Sequence, residues 1–316
     1  MMDNPMVKRV VLVAAALVVV AGAAAAVIAV LGGVAPRQAG GATAVAGRFD
    51  VDQTKSLPVD GVQRISVEVV SSDITVTESA DGAASARLYG TASSNRSVAV
   101  PELIAETRGS AASFRVDYKS VNMVAGWYRS DLKLELAIPK GYHGALVVHG
   151  VSAKVTLPAG RTFNDLEITT VSGDVDLGAC TAGSFRCHTV SGSLAAREVA
   201  TASADLGSTS GRMTVGGLTG DLVARTVSGD LDLAWTSFNG SIDVSTTSGR
   251  VTLAIPAGVG FRLDASSTSG RITSDHDVTV RESTSGPGRH SLFGEVGSGA
   301  GSVRVRTVSG EIRIAK

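Results

Sequence analysis

A four-residue phrase, Thr-Val-Ser-Gly, recurs along this chain and is followed each time by alternating apolar residues. It stands at Thr170–Gly173, Thr189–Gly192, Thr226–Gly229 and Thr307–Gly310, with looser copies ending at Gly211, Gly249 and Gly270. Successive glycines lie about 18 to 21 residues apart, and the last interval, Gly270 to Gly310, is two periods. A period near 20 with strand-like content is the signature of stacked β-coils, in which no repeat buries its apolar face alone.

Alignment on the glycine sorts the repeat into faces. Two residues after it stand Val175, Leu194, Met213, Leu231, Val251, Ile272 and Ile312; four after it stand Leu177, Ala196, Val215, Leu233, Leu253, Ser274 and Ile314. Five before it stand Ile168, Cys187, Leu206, Ala224, Val244, Ala265 and Val305; seven before it stand Leu166, Phe185, Ala204, Leu222, Ile242, Leu263 and Val303. Polar residues separate these positions, so period two predicts two short strands per coil, each with one face inward. The Ser-Gly turn joins them, and glycine there is expected to supply a backbone conformation that β-branched residues resist.

The register also runs backward. With Ala153 in the glycine's place, Leu146, Val148, Val155 and Leu157 fall inward; with Ser72 there, Ile65, Val67, Ile74 and Val76 do. Between Gly82 and Ile138 the period is lost, although Leu132, Leu134, Leu136 and Ile138 still alternate with Asp131, Lys133, Glu135 and Ala137. Residues 61–140 are therefore expected to form irregular β-coils that cap the stack, and residues 141–316 the regular repeats. The fold class is all-β, a β-solenoid (a β-helix-like stack of about 20-residue coils) preceded by one N-terminal transmembrane helix. The far end is expected to be the short strand Glu311 to Lys316, its open edge blunted by Arg313 and Lys316.

The membrane expectation comes from residues 10–36, which carry no charge between Lys8-Arg9 and Arg37. About 20 apolar residues cross a bilayer as a helix, and the flanking charges place the long C-terminal domain outside the cytoplasm. Residues 1–36 thus read as an anchor or an uncleaved signal, and residues 37–60 as a flexible linker. The expected location is the cell membrane, single-pass, with the membrane itself a partner through residues 10–36.

Composition narrows the rest. Only 4% of residues are aromatic and 37 are glycine, which suits thin coils with small interiors. The 29 basic and 29 acidic residues balance, which disfavours nucleic acid as a partner. Neither a cofactor motif nor a catalytic constellation appears. Asp174, Asp176, Asp230 and Asp232 are outward carboxylates, but the coils between them set the two pairs about 14 Å apart, too far for paired-carboxylate hydrolysis. His143, His149, His188, His276 and His290 have no ligand spacing and are expected at the surface. The glycine-rich run Gly297–Gly301 lacks the Lys-Ser/Thr ending of a phosphate loop and reads as a plain loop. Cys180 and Cys187 both map to inward positions. An exported chain permits a disulfide across the coil interior, and two small buried thiols are the alternative.

The phrase Thr170-Val171-Ser172-Gly173-Asp174-Val175-Asp176-Leu177, its variants, and the closing run from Gly301 to Ile314 resemble the putative-adhesin family of bacterial β-strand-repeat proteins of unknown function (DUF4097-like). The resemblance covers about residues 60–316. It implies a β-solenoid and a surface or envelope location, and it brings no catalytic residues. The functional expectation is a non-enzymatic, membrane-anchored cell-envelope protein presenting an extracytoplasmic β-solenoid for adhesion or envelope contact, with an envelope glycan or a membrane protein as partner. Two alternatives stay open. One is an accessory or sensor component of an envelope-stress system; the other is a carbohydrate-active β-helix enzyme with its site in residues 82–138 or 275–301.

The inward assignment has a direct test. A charge at Leu231 should unfold the stack, because a buried unpaired carboxylate is far costlier than the methyl groups it replaces. A Leu231→Asp variant that keeps a cooperative, wild-type thermal transition by circular dichroism would contradict the register.

Overall fold

The computed structural model describes residues 44–118, 127–286 and 289–316. The apolar segment 10–36 and the first part of the linker, 37–43, lie outside the described residues. Among the described residues every regular element is a β-strand and none is a helix.

The strands form two sheets, of 12 and 13 strands. Strands that follow the Ser-Gly turn, such as Val155–Leu157, Val175–Leu177 and Leu194–Ala196, stack in the first sheet. The longer strands that precede the turn, such as Arg161–Thr170, Cys180–Thr189 and Val199–Ser208, stack in the second. Pairing along the regular stack is parallel and in register. In the first sheet Val175, Leu194, Met213, Leu231 and Val251 are successive partners. In the second, Leu166, Phe185, Ala204, Leu222 and Ile242 are. The inward ladders named above are buried throughout except Ile272 and Ser274. Those two sit on Ile272–Ser274, the strand at the open edge of the first sheet, where no neighbour covers them.

The turn explains the repeated phrase. The Thr or Ser three residues before the glycine is buried in the core at Thr170, Thr189, Ser208, Thr226, Thr246, Thr307 and Ser267. The glycine N–H donates to that hydroxyl at Gly173 (3.0 Å), Gly192 (2.9 Å), Gly211 (2.8 Å), Gly229 (3.1 Å) and Gly270 (2.7 Å). A buried hydroxyl without such a partner would cost about 1–3 kcal/mol, so at these five turns the hydroxyl is matched to the glycine N–H. The glycine itself is required chiefly by close approach. A Cβ at Gly192, Gly211, Gly229 or Gly310 would overlap the carbonyl oxygen of the glycine one coil away, and at Gly173 that of Ala153. Of the seven repeat glycines only Gly249 has a positive φ. The expected conformational reason therefore gives way to a steric one: the coils touch backbone to backbone at this corner.

The order of coils departs from chain order at both ends. At the C-terminal end, Gly301–Ser309 pairs with Ser241–Ser248 on one side and with Phe261–Ser267 on the other. Ile312–Ala315 is likewise flanked by Val251–Ala254 and Ile272–Ser274. The last coil in sequence is thus inserted one place inside the end of the stack. The expected exposed terminal strand is internal, and its cations are paired rather than guarding an edge: Arg313 with Asp275 at 3.1 Å and Lys316 with Asp277 at 3.7 Å. The hairpin Thr279–Gly286 and Arg289–Val296 closes the second sheet with antiparallel pairing.

At the other end, the coil of Arg64–Val69 and Ser72–Ser79 lies between the later segments Ala111–Asp117 and Tyr128–Pro139 on its outer side and Ala145–Gly150 and Val155–Leu157 on its inner side. Beyond them Ala83–Ala99 runs antiparallel to Tyr128–Pro139 and carries Ala44–Pro58 as the edge strand. Residues 44–58 are consequently a 15-residue strand, not the flexible linker expected over 37–60. Its Val51 is buried, and the Gln53 side chain bridges the carbonyl of Pro101 and the N–H of Leu103, both at 2.8 Å.

Substitution Gly211→Ala should destabilise the stack by about 1–3 kcal/mol, the usual range for forcing atoms into a packed site. Gly82→Ala, where the added methyl meets nothing within 4 Å, should stay within about 0.5 kcal/mol of wild type. Urea denaturation of the two variants measures both.

Candidate contact surface

At the corner where each coil passes into its longer strand, five successive coils line an open groove of about 810 Å³. Its wall residues recur at equivalent positions: Thr162, then Thr181 and Gly183, Ala200 and Ala202, Thr219 and Gly220, and Asn239 and Gly240. Four coil steps at about 4.8 Å make it ~19 Å long. Small side chains open the groove because backbone forms its floor. A Cβ at Gly220 would strike the carbonyl of Ala202, and one at Gly183 would crowd that of Asn164. Its hydroxyls are largely held in place: Thr219 Oγ1 donates to the carbonyl of Thr201 at 2.9 Å, and Thr201 Oγ1 to that of Ser203 at 2.9 Å.

The outward carboxylates serve the scaffold. Asp174 Oδ1 accepts the N–H of Ser193 (2.9 Å) and Asp230 Oδ1 that of Arg250 (2.9 Å). Asp73 does the same for Lys154 (3.1 Å) and Asp221 for Ser241 (2.7 Å). Each ties one coil to its neighbour. Asp176 stands between Thr156 and Ala195 in register, and Asp232 between Thr214 and Thr252, so neither has a carboxylate beside it on its ladder. Ion pairs run between coils in the same manner: Arg186 with Glu167 (3.3 Å), Arg212 with Asp230 (3.5 Å), and Arg304 and Arg306 with Asp264 (3.2 and 3.4 Å). All are solvent-facing and individually worth little.

The two cysteines are buried and unbonded. They occupy the strand Cys180–Thr189, seven residues apart, and the inward phase shifts by one residue at Gly183–Ser184, so both face the interior. Seven residues of strand span up to ~23 Å, against about 7 Å between the Cα atoms of a disulfide, and both thiols are free. The disulfide alternative fails on that geometry. Burial pushes the thiol of Cys180 up to about 11 and that of Cys187 to about 12.

Of the histidines, His276 departs from the surface expectation. It is buried, its ring lies edge-on to Phe261 at 5.3 Å, and its Nε2 is 3.1 Å from the carbonyl of Ala315. Trp235, Phe238, Phe261 and His276 form a continuous aromatic row beside the inserted C-terminal coil. His188 lies 3.9 Å from Asp205 on an outer face. Among the described residues no group of three or more His, Cys, Asp or Glu side chains is placed to hold a metal ion.

One buried cation was not anticipated. Arg161 stands in the inward row of Cys180 and Val199, where an apolar residue belongs. Its guanidinium is directed to the carbonyls of Ile138 and Pro139 (3.4 Å each) and lies 5.6 Å over the ring of Phe163. Desolvation lowers its pKa. The signal was available in the ladder itself, as an arginine between small apolar partners. It marks where the irregular cap meets the regular stack.

A family model described as Toastrack DUF4097 matches residues 62–315. No curated protein matches the chain. Among solved structures, a putative adhesin from Bacteroides fragilis is 15% identical with a TM-score of 0.49, covering 84% of this chain and 97% of that one. A putative adhesin from Parabacteroides merdae is 9% identical with a TM-score of 0.43, covering 84% and 96%. A putative lipid binding protein from Parabacteroides distasonis is 13% identical with a TM-score of 0.40, covering 84% and 97%.

The thiols set a pH window. Unfolded cysteines ionise near 9, whereas the folded ones hold their protons to about 11 and 12. Above pH 9 the unfolded chain therefore binds fewer protons than the folded one, and stability falls as pH rises. Urea midpoints at pH 8 and pH 10 should show a drop that shrinks in a Cys180→Ala/Cys187→Ala variant. Native protein at pH 8 should resist Ellman's reagent, and denatured protein should report two thiols.

Proposed function

The chain belongs to the Toastrack DUF4097 family, and from that premise we propose that it is a non-enzymatic, membrane-anchored cell-envelope protein whose extracytoplasmic β-stack serves as a contact surface. The observation that carries this reading is the use of the outward carboxylates. Asp73, Asp174, Asp221 and Asp230 are bonded to backbone amides of the neighbouring coil, and Asp264 to two arginines. Groups committed to the scaffold in this way are poorly suited to proton transfer, which needs a carboxyl free to change its protonation state. What the stack offers outward is extended area: a ~19 Å groove of threonine, alanine and glycine and two long faces of mixed charge.

Such a groove suits an extended, largely uncharged chain such as an envelope glycan strand. Its partner would lie along the stack axis and meet the same chemistry at each coil. Binding would then be spread over several coils, with each contributing modestly. The uncharged run 10–36 supplies the anchor in this reading and holds the surface close to its target.

Co-sedimentation of the purified protein with isolated cell-envelope material, against an unrelated β-rich protein, should show saturable binding. Ala202→Arg, at an exposed position on the groove wall, should weaken it severalfold while leaving the melting temperature within a few degrees. Wild-type affinity in that variant would remove the groove from the contact, and absence of any saturable binding would sink the contact reading itself.

A further inference from the structure

The three strands at the N-terminal end share one projecting tip. Gly47, Ser94 and Tyr128 are successive partners in one row across them, and Ala44 and Val45 continue the pairing beyond it with Ala99 and Val98. Trp127 stands at this tip. Its N–H donates to Asn95 Oδ1 at 2.8 Å, and its carbonyl accepts from Ser94 Oγ at 3.1 Å. The backbone is thus held to the neighbouring strand, yet the residue is 54% exposed, the largest exposed apolar side chain among the described residues. The chain's other tryptophan, Trp235, is 5% exposed. A single exposed apolar residue is ordinary on a protein surface; what makes this indole informative is its fixed backbone and the charges beside it.

The charges beside it point to the partner's chemistry. Tyr128 turns inward, with its hydroxyl buried, so period two puts Trp127 and Arg129 on the same outer side. Arg129, Ser93 and Arg48 are neighbours in one cross-strand row, and both arginines are exposed. Neither arginine has an ion-pair partner among the described residues, in contrast with Arg87, which pairs with Asp52 at 2.8 Å. Asp50 and Asp131 occupy the next outward row, farther from the tip. An indole with two free guanidinium groups is the pairing that settles in the headgroup layer of a bilayer, the ring at the interface and the cations on phosphates.

Chain length keeps this tip close to the membrane in an anchored protein. Residues 37–43 separate the uncharged run from Ala44, the first described residue, which is already paired with Ala99. Seven residues reach at most ~25 Å when fully extended. The strand that begins there lies at the same tip as Trp127, about three residues, or ~10 Å, from its row. The anchor therefore delivers this end of the stack, and not the C-terminal end, to the membrane.

We propose that the tip formed by the start of strand Ala44–Pro58, Asn95 and Trp127 docks on the lipid surface, with Trp127 in the headgroup layer and Arg48 and Arg129 on lipid phosphates. The docking rests on the anchor reading given under the proposed function. It fixes which end of the stack meets the membrane, the end that carries Ala44–Pro58.

The two tryptophans make the test direct. The full chain is reconstituted in vesicles of phosphatidylcholine and phosphatidylglycerol whose acyl chains carry bromine either near the headgroup or near the chain end. Emission of a Trp127→Phe variant supplies the Trp235 background. The expected result is loss of most Trp127 emission with shallow bromine, a smaller loss with deep bromine, and a blue shift relative to detergent-free buffer. Arg48→Glu/Arg129→Glu should reduce the shallow quenching while the protein stays with the vesicles. Trp127 emission unchanged by bromine in protein that floats with the vesicles would overturn the docking and leave the anchor standing, with a protein partner then the occupant of the tip. Protein that does not float with the vesicles would overturn both.

Discussion

The constraint on which the structure depends is the contact between coils at the Ser-Gly corner. There the backbone of one coil approaches the next so closely that a methyl group on the glycine would occupy the place of a carbonyl oxygen. Such an approach is possible only if the polar groups at the turn are satisfied locally. The buried Thr or Ser hydroxyl accepting the glycine N–H does this in five of the seven repeats. The other two hydroxyls, Thr246 and Thr307, are buried without a partner and stand side by side in register. They belong to the coil of Ser241–Ser248 and to the C-terminal coil inserted beside it.

This corner sets the spacing for everything else. With the turns stacked in register, each apolar position falls over its counterpart, and the ladders, mostly Val, Leu, Ile and Ala with Phe185 among them, pack between the sheets. The aspartate after the glycine then lies where its carboxylate reaches the next coil's amide, so a residue type often associated with catalysis becomes a stapling group here. The same regularity opens the groove: wherever the wall residues are Ala, Thr or Gly in successive coils, the gap between them is continuous.

Regular parallel stacks have open edges at both ends, and an unpaired strand invites association with another chain. This chain reverses direction at both ends of the stack. Antiparallel strands end both sheets at the N-terminal end and the second sheet at the C-terminal end, while the first sheet ends there on the parallel strand Ile272–Ser274; in both places a later segment is laid against an earlier coil out of chain order. The aromatic row from Trp235 to His276 fills the space beside the inserted C-terminal coil. The His276 ring contact with the Ala315 carbonyl and the ion pairs of Arg313 and Lys316 tie that coil to the strand outside it.

The sequence by itself determined which side chains face inward, because strand periodicity and the repeat register are local properties that every coil states independently. It marked the turns, the early coils at Ser72 and Ala153, and the separation of the aspartate pairs. Only the tertiary structure decided which coil neighbours which. Every coil presents the same two edges to its neighbour, so Gly301–Ala315 fits equally well after Phe261–Ser274 or before it, and local pattern cannot choose. The tertiary structure likewise decided that Ala44–Pro58 is a paired strand, since its polar composition yields to an available edge. It also put the two cysteines on one strand with both thiols free, where inward-facing positions alone had left a disulfide open.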